Sequence, residues 1–386
     1  MKRLAIFYDG TWNDPADRTN VFLLKELVAH RAPDGTEQMR HYDPGVGTRW
    51  YDKLLGGSVG RGLSSNVREG YEWLVRHHQD NDEIYIFGFS RGAYTARSLG
   101  GLIACCGLVR PGAPWTTEQL YARYRNRKDG AVPIYRLEYF QRTGERPLTT
   151  EESSLLASSR RVPIKMIGVW DTVGALGIPW TGMPFIGKGH FYFHNPNLSK
   201  IYEHAFQALA IDEHRGAYKP TLWTLFAPDA APGGAVFTPP VMPPRESAEQ
   251  RWFVGAHANV GGGYGDDPLS RPPLAWLQSR ADRVGLKFTS LVALTGKEHL
   301  TAPADSYARF LRGAYRALKH GRRFYRSIGL ERRQVKGGWS YPVNEVIDAS
   351  VFLRVQATDY RPQNLMDWGK TRQRDVPALI GEQWAL

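Results

Sequence analysis

The hydrophobic pattern of the chain predicts short buried strands that alternate with helices. Apolar runs rich in aromatic and aliphatic side chains each end at a glycine or a polar residue, which is typical of buried strands. The strands predicted in this way are 2–8, 38–47, 83–89, 162–171 and 250–257. Apolar residues recur at helical intervals elsewhere, and the predicted helices are 20–30, 63–79, the segment from Ala93 onwards and 201–215. This order predicts an α/β fold with a mostly parallel sheet and helices on both faces.

The length of the chain, 386 residues, allows either two domains or one α/β domain with insertions. We expect a single domain over residues 1–386. Its insertions are predicted at about 110–160 and 175–245, and a basic helical region at about 300–330. These segments are rich in aromatic, basic or proline residues, and we expect the insertions to act as a lid.

A serine lies between two glycines where one predicted strand meets the next helix. The stretch Gly88-Phe89-Ser90-Arg91-Gly92 has the G-x-S-x-G pattern. In that motif a tight strand-to-helix turn exposes the serine hydroxyl, and the glycines lack the β-carbons that would collide where strand and helix cross. The flanking strand and helix favour a nucleophile elbow at Ser90 over an ordinary turn.

A serine nucleophile needs a base and an acid that orients the base. His257 ends the predicted strand 250–257, and Asp171 ends the strand 162–171, so both lie where parallel strands place their sites. Their order after Ser90 is serine, acid, histidine, as in α/β hydrolases. Asp171 could instead cap a turn, which leaves other acids open as rivals. These rivals are Asp9, Asp212 and Asp267.

Two backbone amides are predicted to stabilise the oxyanion. One is the amide of Arg91, directly after the nucleophile, and the other comes from a loop after an earlier strand. The loop “DGTWND” is the best candidate, with Gly10 or Thr11 as the donor, although it could equally be a plain turn.

The remaining composition argues against cofactors and structural crosslinks. The two cysteines, Cys105 and Cys106, are adjacent and cannot join distant elements. No Cys/His spacing suits zinc, and Asp266–Asp267 lacks the alternating ligands of a calcium loop, so we expect no metal and no cofactor. The first apolar run ends at Asp9, too early for a signal peptide, so we expect cytoplasmic synthesis.

The formal net charge of +12 favours a polyanionic partner, either nucleic acid or an anionic membrane surface. Residues 306–329 would form a basic amphipathic helix with aromatic residues, a pattern typical of membrane-surface binding. A helix that packs on the core with a solvated basic face is equally compatible. The residues predicted to face a membrane are Arg312, Arg316, Lys319 and Arg323.

Several motifs resemble one known family. In chain order they read “FYDGTWND”, “GLSSNVREGYEWL”, “DEIYIFGFSRGAYTAR”, “GVWDTVGALG”, “ALAIDEHRGAYKPTLW”, “FVGAHANVGGGYGDD” and “YRPQNL”. They are similar to a bacterial and fungal domain family that includes the first class of type VI secretion phospholipase effectors. The resemblance implies an α/β-hydrolase core, lipid-ester hydrolysis, and the triad Ser90, Asp171 and His257. It also implies export by a type VI secretion machine, with a secretion or immunity partner, if the chain is an effector.

The sequence therefore predicts a serine hydrolase of lipid esters, most simply a phospholipase A or a lysophospholipase that forms an acyl-enzyme on Ser90. An esterase or thioesterase that acts on a soluble substrate is the first alternative. A nucleic-acid-binding protein on a degenerate hydrolase scaffold is the second, but no nucleic-acid-binding motif supports it, and we expect no nucleic-acid partner.

Overall fold

An eight-stranded sheet forms the centre of the computed structural model. The structure describes residues 1–10, 13, 15–45, 58–126, 131–174, 196–229, 239–329, 331–379 and 384–385. The strands are β1 Lys2–Tyr8, β2 Glu37–Asp43, β3 Glu83–Phe89, β4 Leu108–Val109, β5 Ser159–Arg160, β6 Ile164–Trp170, β7 Tyr202–Ala210, β8 Thr224–Pro228, β9 Ala248–Phe253, β10 Arg333–Val335, β11 Gly338–Pro342, β12 Glu345–Ile347 and β13 Trp384–Ala385. The central sheet has the order β13-β12-β9-β7-β6-β3-β1-β2, and only β13 is antiparallel to its neighbour.

Helices cover both faces of this sheet. They are α1 Asn20–Leu27, α2 Ser58–His77, α3 Arg91–Cys106, α4 Thr117–Arg125, α5 Ile134–Thr143, α6 Thr150–Ser158, α7 His257–Gly261, α8 Arg271–Arg283, α9 Ser306–Arg309, α10 Ala314–Leu318, α11 Ala349–Ala357 and α12 Gln363–Thr371. Strands β8, β10 and β11 form a separate small antiparallel sheet, and β4 pairs with β5.

Strand β1 shows why the helices lie on both sides. Successive side chains of a strand point to opposite faces, and every residue from Leu4 to Tyr8 is buried. Leu4 and Ile6 pack in the cluster that contains α2 and α3, whereas Ala5 and Phe7 pack in the cluster that contains α1 and α8. Parallel strands covered on both faces consist of near-continuous apolar runs. The predicted mostly parallel α/β fold is confirmed.

The helix predicted at 201–215 is wrong, because these residues include strand β7. Strand β7 lies between β6 and β9 in the middle of the sheet, and its residues from Ala205 to Ala210 are buried. A short apolar run that is buried on both faces cannot be distinguished from a buried helix by periodicity alone. Part of the segment predicted as an insertion at 175–245 is therefore core sheet.

The basic region at 300–330 is not one long helix. It contains the short helices α9 and α10, separated by a 3₁₀ turn, and residues 322–329 are not helical. Gly313 has a left-handed φ of 88° at the start of α10, which interrupts the helical pattern. Tyr315, one of the aromatic residues of this segment, is buried against Tyr307 and Phe310 and does not face a membrane surface.

The predicted insertion at 110–160 contains helices that pack on α3. Leu120 and Tyr124 of α4 and Leu137 of α5 are buried in the same cluster as Leu99 and Leu102 of α3. Among the described residues, none of the helices has the length and hydrophobicity that crossing a bilayer requires.

Candidate active site

Ser90 lies in a strained turn at the carboxyl end of β3. Its backbone has φ 58° and ψ −120°, a conformation that costs a non-glycine residue free energy. A β-carbon on Gly88 would lie 2.5 Å from the carbonyl oxygen of Gly92, and one on Gly92 would lie 2.2 Å from that of Tyr8. The two glycines therefore let α3 cross closely over β1 and β3. The Ser90 amide donates to the Trp170 carbonyl at 3.0 Å, which anchors the turn to β6.

The structure brings Ser90, His257 and Asp171 into one hydrogen-bonded line. His257 is the first residue of α7, and its Nε2 lies 2.8 Å from Ser90 Oγ. Its Nδ1 lies 2.5 Å from Asp171 Oδ2, which directly follows β6. The rings of Phe89 and Tyr218 pack against the imidazole with centroid distances of 4.6 and 5.0 Å. Parallel strands converge at their carboxyl edge, so this placement follows from the sheet.

Asp171 has a second buried partner that the sequence did not reveal. Arg326 donates to both carboxylate oxygens, from Nη1 to Oδ1 at 2.6 Å and from Nη2 to Oδ2 at 2.9 Å, and both side chains are fully buried. The same guanidinium also donates to the carbonyls of Ala210 and Tyr218. No local pattern separates Arg326 from the other six lysine and arginine residues of 306–329.

The charges around the triad favour an ionised acid and a neutral base. Burial alone would raise the pKa of Asp171, but the Arg326 charge and the His257 hydrogen bond outweigh it and hold that pKa well below its usual value. Burial lowers the pKa of His257, against the opposing effects of Asp171 and Glu213. A neutral imidazole can accept a proton from a serine hydroxyl.

A second buried ion pair supports His257 from the other side. Glu213 accepts two hydrogen bonds from the Arg215 guanidinium, at 2.8 and 2.7 Å, and one from the His257 backbone amide at 3.3 Å. Burial opposes ionisation, but Arg215 lowers the pKa of Glu213 to about 2. The Arg215 guanidinium stacks on Tyr218, whose edge contacts the imidazole. Sequence reasoning missed this pair, because only the fold places it beside His257.

The three rival acids accept hydrogen bonds from other hydroxyl and amide groups instead of from the imidazole. Asp9 accepts hydrogen bonds from the hydroxyls of Thr19 and Tyr42, and burial raises its pKa to about 6. Asp212 accepts from the Gly255 amide and the Tyr360 hydroxyl. Asp267 caps a 3₁₀ turn at the Leu269 amide and accepts from Asn259 of α7. Burial is the main cause that raises the pKa of both Asp212 and Asp267.

The predicted oxyanion donors differ in their surroundings. Arg91 is the first residue of α3, so its amide lies at the helix N-terminus directly after Ser90. The Gly10 amide donates to its neighbour Asp9 at 2.7 Å. This bond occupies the N–H that was expected to face the substrate, so the prediction for Gly10 is not supported. Thr11 lies outside the described residues.

The predicted membrane-facing residues differ in their surroundings. Arg316 and Lys319 are exposed. Arg323 is committed to Asp305, with donor distances of 2.5 and 3.2 Å. The side chain of Arg312 lies outside the described part of the structure. Among the described residues, no cluster of histidine, cysteine, aspartate or glutamate could hold a metal ion.

A comparison with protein families identifies the family of this chain. The family model for the catalytic domain of Tle1-like phospholipase effectors of the type VI secretion system matches residues 2–280, well over half of the chain. The chain belongs to the Tle1-like family. Ser90, Asp171 and His257 lie within the matched range, whereas Arg326 lies beyond it.

Other relatives of this Tle1-like chain are more distant. An uncharacterized protein of Saccharomyces cerevisiae is 27% identical over 240 residues, which cover 58% of this chain and 33% of that protein. The solved Tle1 effector bound to the VgrG spike is 18% identical with a TM-score of 0.37, covering 70% of this chain and 52% of its own. An uncharacterized protein from Pseudomonas aeruginosa is 16% identical with a TM-score of 0.40, covering 82% and 50% respectively. The chain thus spans about one third of the yeast relative and about half of each solved chain.

Proposed function

We propose that this chain is a serine hydrolase that cleaves acyl esters of phospholipids, as a phospholipase A or a lysophospholipase. The observation that carries the proposal is the line from Ser90 Oγ through His257 to Asp171, with distances of 2.8 and 2.5 Å. A hydroxyl, a neutral imidazole and an ionised carboxylate in this order are what acyl transfer through a serine requires. Membership of a phospholipase effector family supports the lipid substrate.

The reaction would proceed through an acyl-enzyme. Ser90 Oγ attacks the acyl carbonyl carbon while His257 Nε2 takes its proton, and the Arg91 amide donates to the oxyanion. The tetrahedral intermediate collapses, and the leaving alcohol takes the proton from His257. Water then attacks the acyl-enzyme with His257 again as base, which releases the fatty acid and restores the serine.

Arg326 would act as a positioning residue through Asp171. Four hydrogen bonds, two to the carboxylate and two to backbone carbonyls, fix the guanidinium against the acid. The carboxylate is thereby held in one plane and kept ionised, so Oδ2 is always available to the imidazole. A buried carboxylate without such a partner would be strongly destabilised.

The proposal also includes contact with a membrane and delivery by a secretion machine. Arg316 and Lys319 are exposed and basic, and a basic surface is attracted to anionic lipids. A Tle1 effector has been solved in complex with the VgrG spike of a type VI secretion system. We infer that this family member uses a comparable carrier, and an immunity partner would then protect the cell that makes it.

A hydrolysis assay with the Ser90→Ala chain tests the proposal. Wild type should release fatty acid from anionic phospholipid vesicles, and Ser90→Ala should lose at least about 10⁴-fold in turnover, since triad members act as a unit. Ser153→Ala, an exposed serine on α6, is the matched control and should keep full activity. Mass spectrometry of the products identifies the cleaved ester position.

Other outcomes of the same assay would replace the proposal. Faster turnover of soluble short-chain esters or thioesters than of vesicles would point to an esterase or thioesterase. Hydrolysis that survives in Ser90→Ala would exclude Ser90 as the nucleophile. Failure of a fluorophosphonate to label wild type, together with binding to nucleic acid at physiological salt, would favour the degenerate scaffold.

A further inference from the structure

Tyr218 lies at the edge of the candidate active site and takes no part in the proposed acyl transfer. Its ring meets the His257 imidazole edge-on, with a centroid distance of 5.0 Å, and the residue is only partly buried. Its hydroxyl has no hydrogen-bond partner among the described residues, yet it is not closed off from solvent. A tyrosine hydroxyl can donate a hydrogen bond. Beside the catalytic base, this donor is therefore open to a bound substrate.

Three contacts fix the position of the Tyr218 ring. The Arg215 guanidinium lies over the ring, 3.6 Å from its centroid, and the Phe310 ring meets it edge-on at 6.0 Å. The backbone carbonyl of Tyr218 accepts a hydrogen bond from Arg326 at 2.6 Å. A binding group that is already held in place loses less conformational freedom when its ligand arrives. The hydroxyl is therefore preorganised to bind a ligand.

Arg215 places a second donor near this hydroxyl. The residue is only 7% exposed, and its Nε and Nη2 are both paired with Glu213, at 2.8 and 2.7 Å. Its Nη1 lies on the other edge of the guanidinium. Within the described ranges Nη1 has no hydrogen-bond partner, and it is not closed off from solvent. Because the guanidinium stacks on the Tyr218 ring, Nη1 and the phenolic hydroxyl lie close together and can donate to one polyatomic anion.

Other cations surround these two donors. Arg91 directly follows the nucleophile, and its buried guanidinium is close enough to the Tyr218 hydroxyl for the two to interact electrostatically. Arg309 is exposed, and it lies within electrostatic range of Tyr264, as Arg215 does. Positive charge on several sides of a binding site favours a negatively charged ligand.

We propose that the Tyr218 hydroxyl and Arg215 Nη1 bind the phosphate of the phospholipid head group, which makes Tyr218 a specificity-determining residue. The inference rests on the proposed function. In a glycerophospholipid only the glycerol unit separates each acyl ester from the phosphate, so the phosphate must lie near the triad while Ser90 attacks. Phosphate oxygens accept hydrogen bonds from both donors, and hydrogen bonds to an ionised group are stronger than neutral ones. A diacylglycerol offers these donors no anion.

Two substrates with the same acyl chains test this contact: dihexanoyl phosphatidylglycerol and dihexanoylglycerol, both dissolved as monomers. Wild type should have a kcat/KM at least about 10-fold higher on the phosphate-bearing ester, since hydrogen bonds to charged groups are worth more than neutral ones. Tyr218→Phe keeps the ring and removes the hydroxyl. It should lower kcat/KM on the phosphate-bearing ester by about 10-fold, chiefly through KM, and leave dihexanoylglycerol nearly unchanged. Tyr325→Phe, at an exposed tyrosine, is the matched control and should change neither rate.

Calorimetry on the full chain carrying Ser90→Ala tests the same contact without turnover. Dihexanoyl phosphatidylglycerol should bind at least about 10-fold more tightly than dihexanoylglycerol, and adding Tyr218→Phe should remove most of that preference. Glycerol phosphate should compete with the phospholipid more strongly than inorganic phosphate does, because it also carries the glycerol unit. Equal competition by inorganic phosphate would make the two donors a simple anion site and overturn the head-group assignment.

The remaining outcomes separate this inference from the proposed function. An equal loss on both esters in Tyr218→Phe would show that the hydroxyl acts through the imidazole, and an unchanged preference would show that the phosphate binds elsewhere. Either result overturns the inference, as does a wild type that does not distinguish the two lipids. If wild type hydrolyses neither ester, the proposed function fails, and the calorimetry alone decides whether the phosphate is bound. If Tyr218→Phe does not fold by circular dichroism, competition by glycerol phosphate for the Ser90→Ala chain decides.

Discussion

At the scale of single residues, Asp171 shows how one side chain can depend on two distant partners. It contacts His257 on one side and Arg326 on the other, and the three residues come from separate parts of the chain. The carboxylate is fully buried, so neither its ionisation nor its orientation is maintained by water. Both must come from these contacts and from the Ala210 amide, which donates to Oδ1 at 3.1 Å.

Replacing Arg326 with methionine should reduce kcat/KM on a soluble ester by on the order of 10²-fold, because a misplaced catalytic group has about that effect. The acid limb of the pH profile should also move to higher pH, since a cation that opposes protonation of His257 is removed. Arg326→Lys should restore part of the rate, and Arg323→Met is the matched control. If the rate falls but the acid limb of the pH profile does not move, Arg326 has only a structural role.

Asp171→Asn should slow turnover by about 10⁴-fold if the amide favours the wrong imidazole tautomer, by the serine-protease precedent. Asp9→Asn and Asp212→Asn should have far smaller effects on kcat, because these acids bind loop amides and hydroxyls. Steady-state rates on one soluble ester compare all three variants. If Asp9→Asn or Asp212→Asn causes the large loss instead, the acid has been misassigned.

Glu345 makes stability depend on pH. It is buried, it accepts from the Trp252 indole at 2.7 Å, and burial raises its pKa from 4.5 to about 7. A raised carboxyl pKa means that the folded state binds the proton more tightly, so the folded state is most favoured at low pH and loses this contribution as pH rises towards 7. The free energy of unfolding should fall by roughly 3 kcal/mol between pH 4.5 and 8 from this residue.

Glu345→Gln should remove this part of the pH dependence, because the amide keeps an acceptor oxygen but does not ionise. Urea denaturation at pH 5 and at pH 8 measures the difference for each chain. Glu331→Gln, at an exposed position, is the control and should retain the wild-type difference in the free energy of unfolding between the two pH values. If the free energy of unfolding changes with pH as much in Glu345→Gln as in wild type, other buried acids such as Asp9 and Asp43 cause the pH dependence.

At the scale of elements, the elbow depends on how closely α3 approaches β1. A β-carbon on Gly92 would lie 2.2 Å from the Tyr8 oxygen and 2.4 Å from the Asp9 oxygen, and both are backbone atoms. These atoms belong to the end of β1 and cannot rotate away as a side chain could. Helix and strand must therefore separate if any larger residue replaces the glycine.

Gly92→Ala should destabilise the fold by about 1–3 kcal/mol or more, as overpacking of a close contact does, and should also displace Ser90. Urea denaturation measures the first effect and hydrolysis of a soluble ester the second. Gly174→Ala is the matched control, because a β-carbon there meets nothing within 4 Å. Full stability and activity in Gly92→Ala would contradict the close crossing.

At the scale of the whole molecule, the excess of positive charge can favour binding to an anionic membrane only where the basic side chains are exposed on the surface. The net charge is +12, but buried arginines such as Arg97 and Arg326 cannot contact a lipid headgroup directly. Of the predicted membrane-facing set, Arg316, Lys319 and Arg323 are exposed, and Arg323 pairs with Asp305. Arg316 and Lys319 are therefore the residues chosen for a test of membrane binding.

Reversing Arg316 and Lys319 to glutamate should weaken binding to anionic vesicles by at least about 30-fold, because each basic residue at such a surface is worth about 1 kcal/mol and the new carboxylates are repelled. Vesicle co-sedimentation measures the binding, and added salt should reproduce the effect on wild type. Turnover of a soluble ester should not change. Lys297→Glu with Lys336→Glu alters the same charge on other exposed loops, and an equal loss there would indicate a general charge effect.

The sequence by itself determined the parts of this protein that depend on neighbouring residues. The G-x-S-x-G turn at Ser90 needs only a strand, two glycines and a helix in succession, and the apolar runs that predicted β1, β3, β6 and β9 reflect burial on both faces. The ends of two of those runs marked Asp171 and His257, which the fold brings together with Ser90.

Only the tertiary structure decided the contacts between residues that are distant along the chain. Arg326 reaches Asp171 across 155 positions, from a segment whose local pattern resembles a surface helix. Strand β7 was mistaken for a helix because a short run buried on both faces has no distinguishing period. The burial of Arg97, which is 3% exposed, likewise cannot be read from the sequence around it. Local propensity and periodicity depend on residues that are close in the sequence. Burial and charge pairing arise only when the whole sheet and its covering helices have assembled.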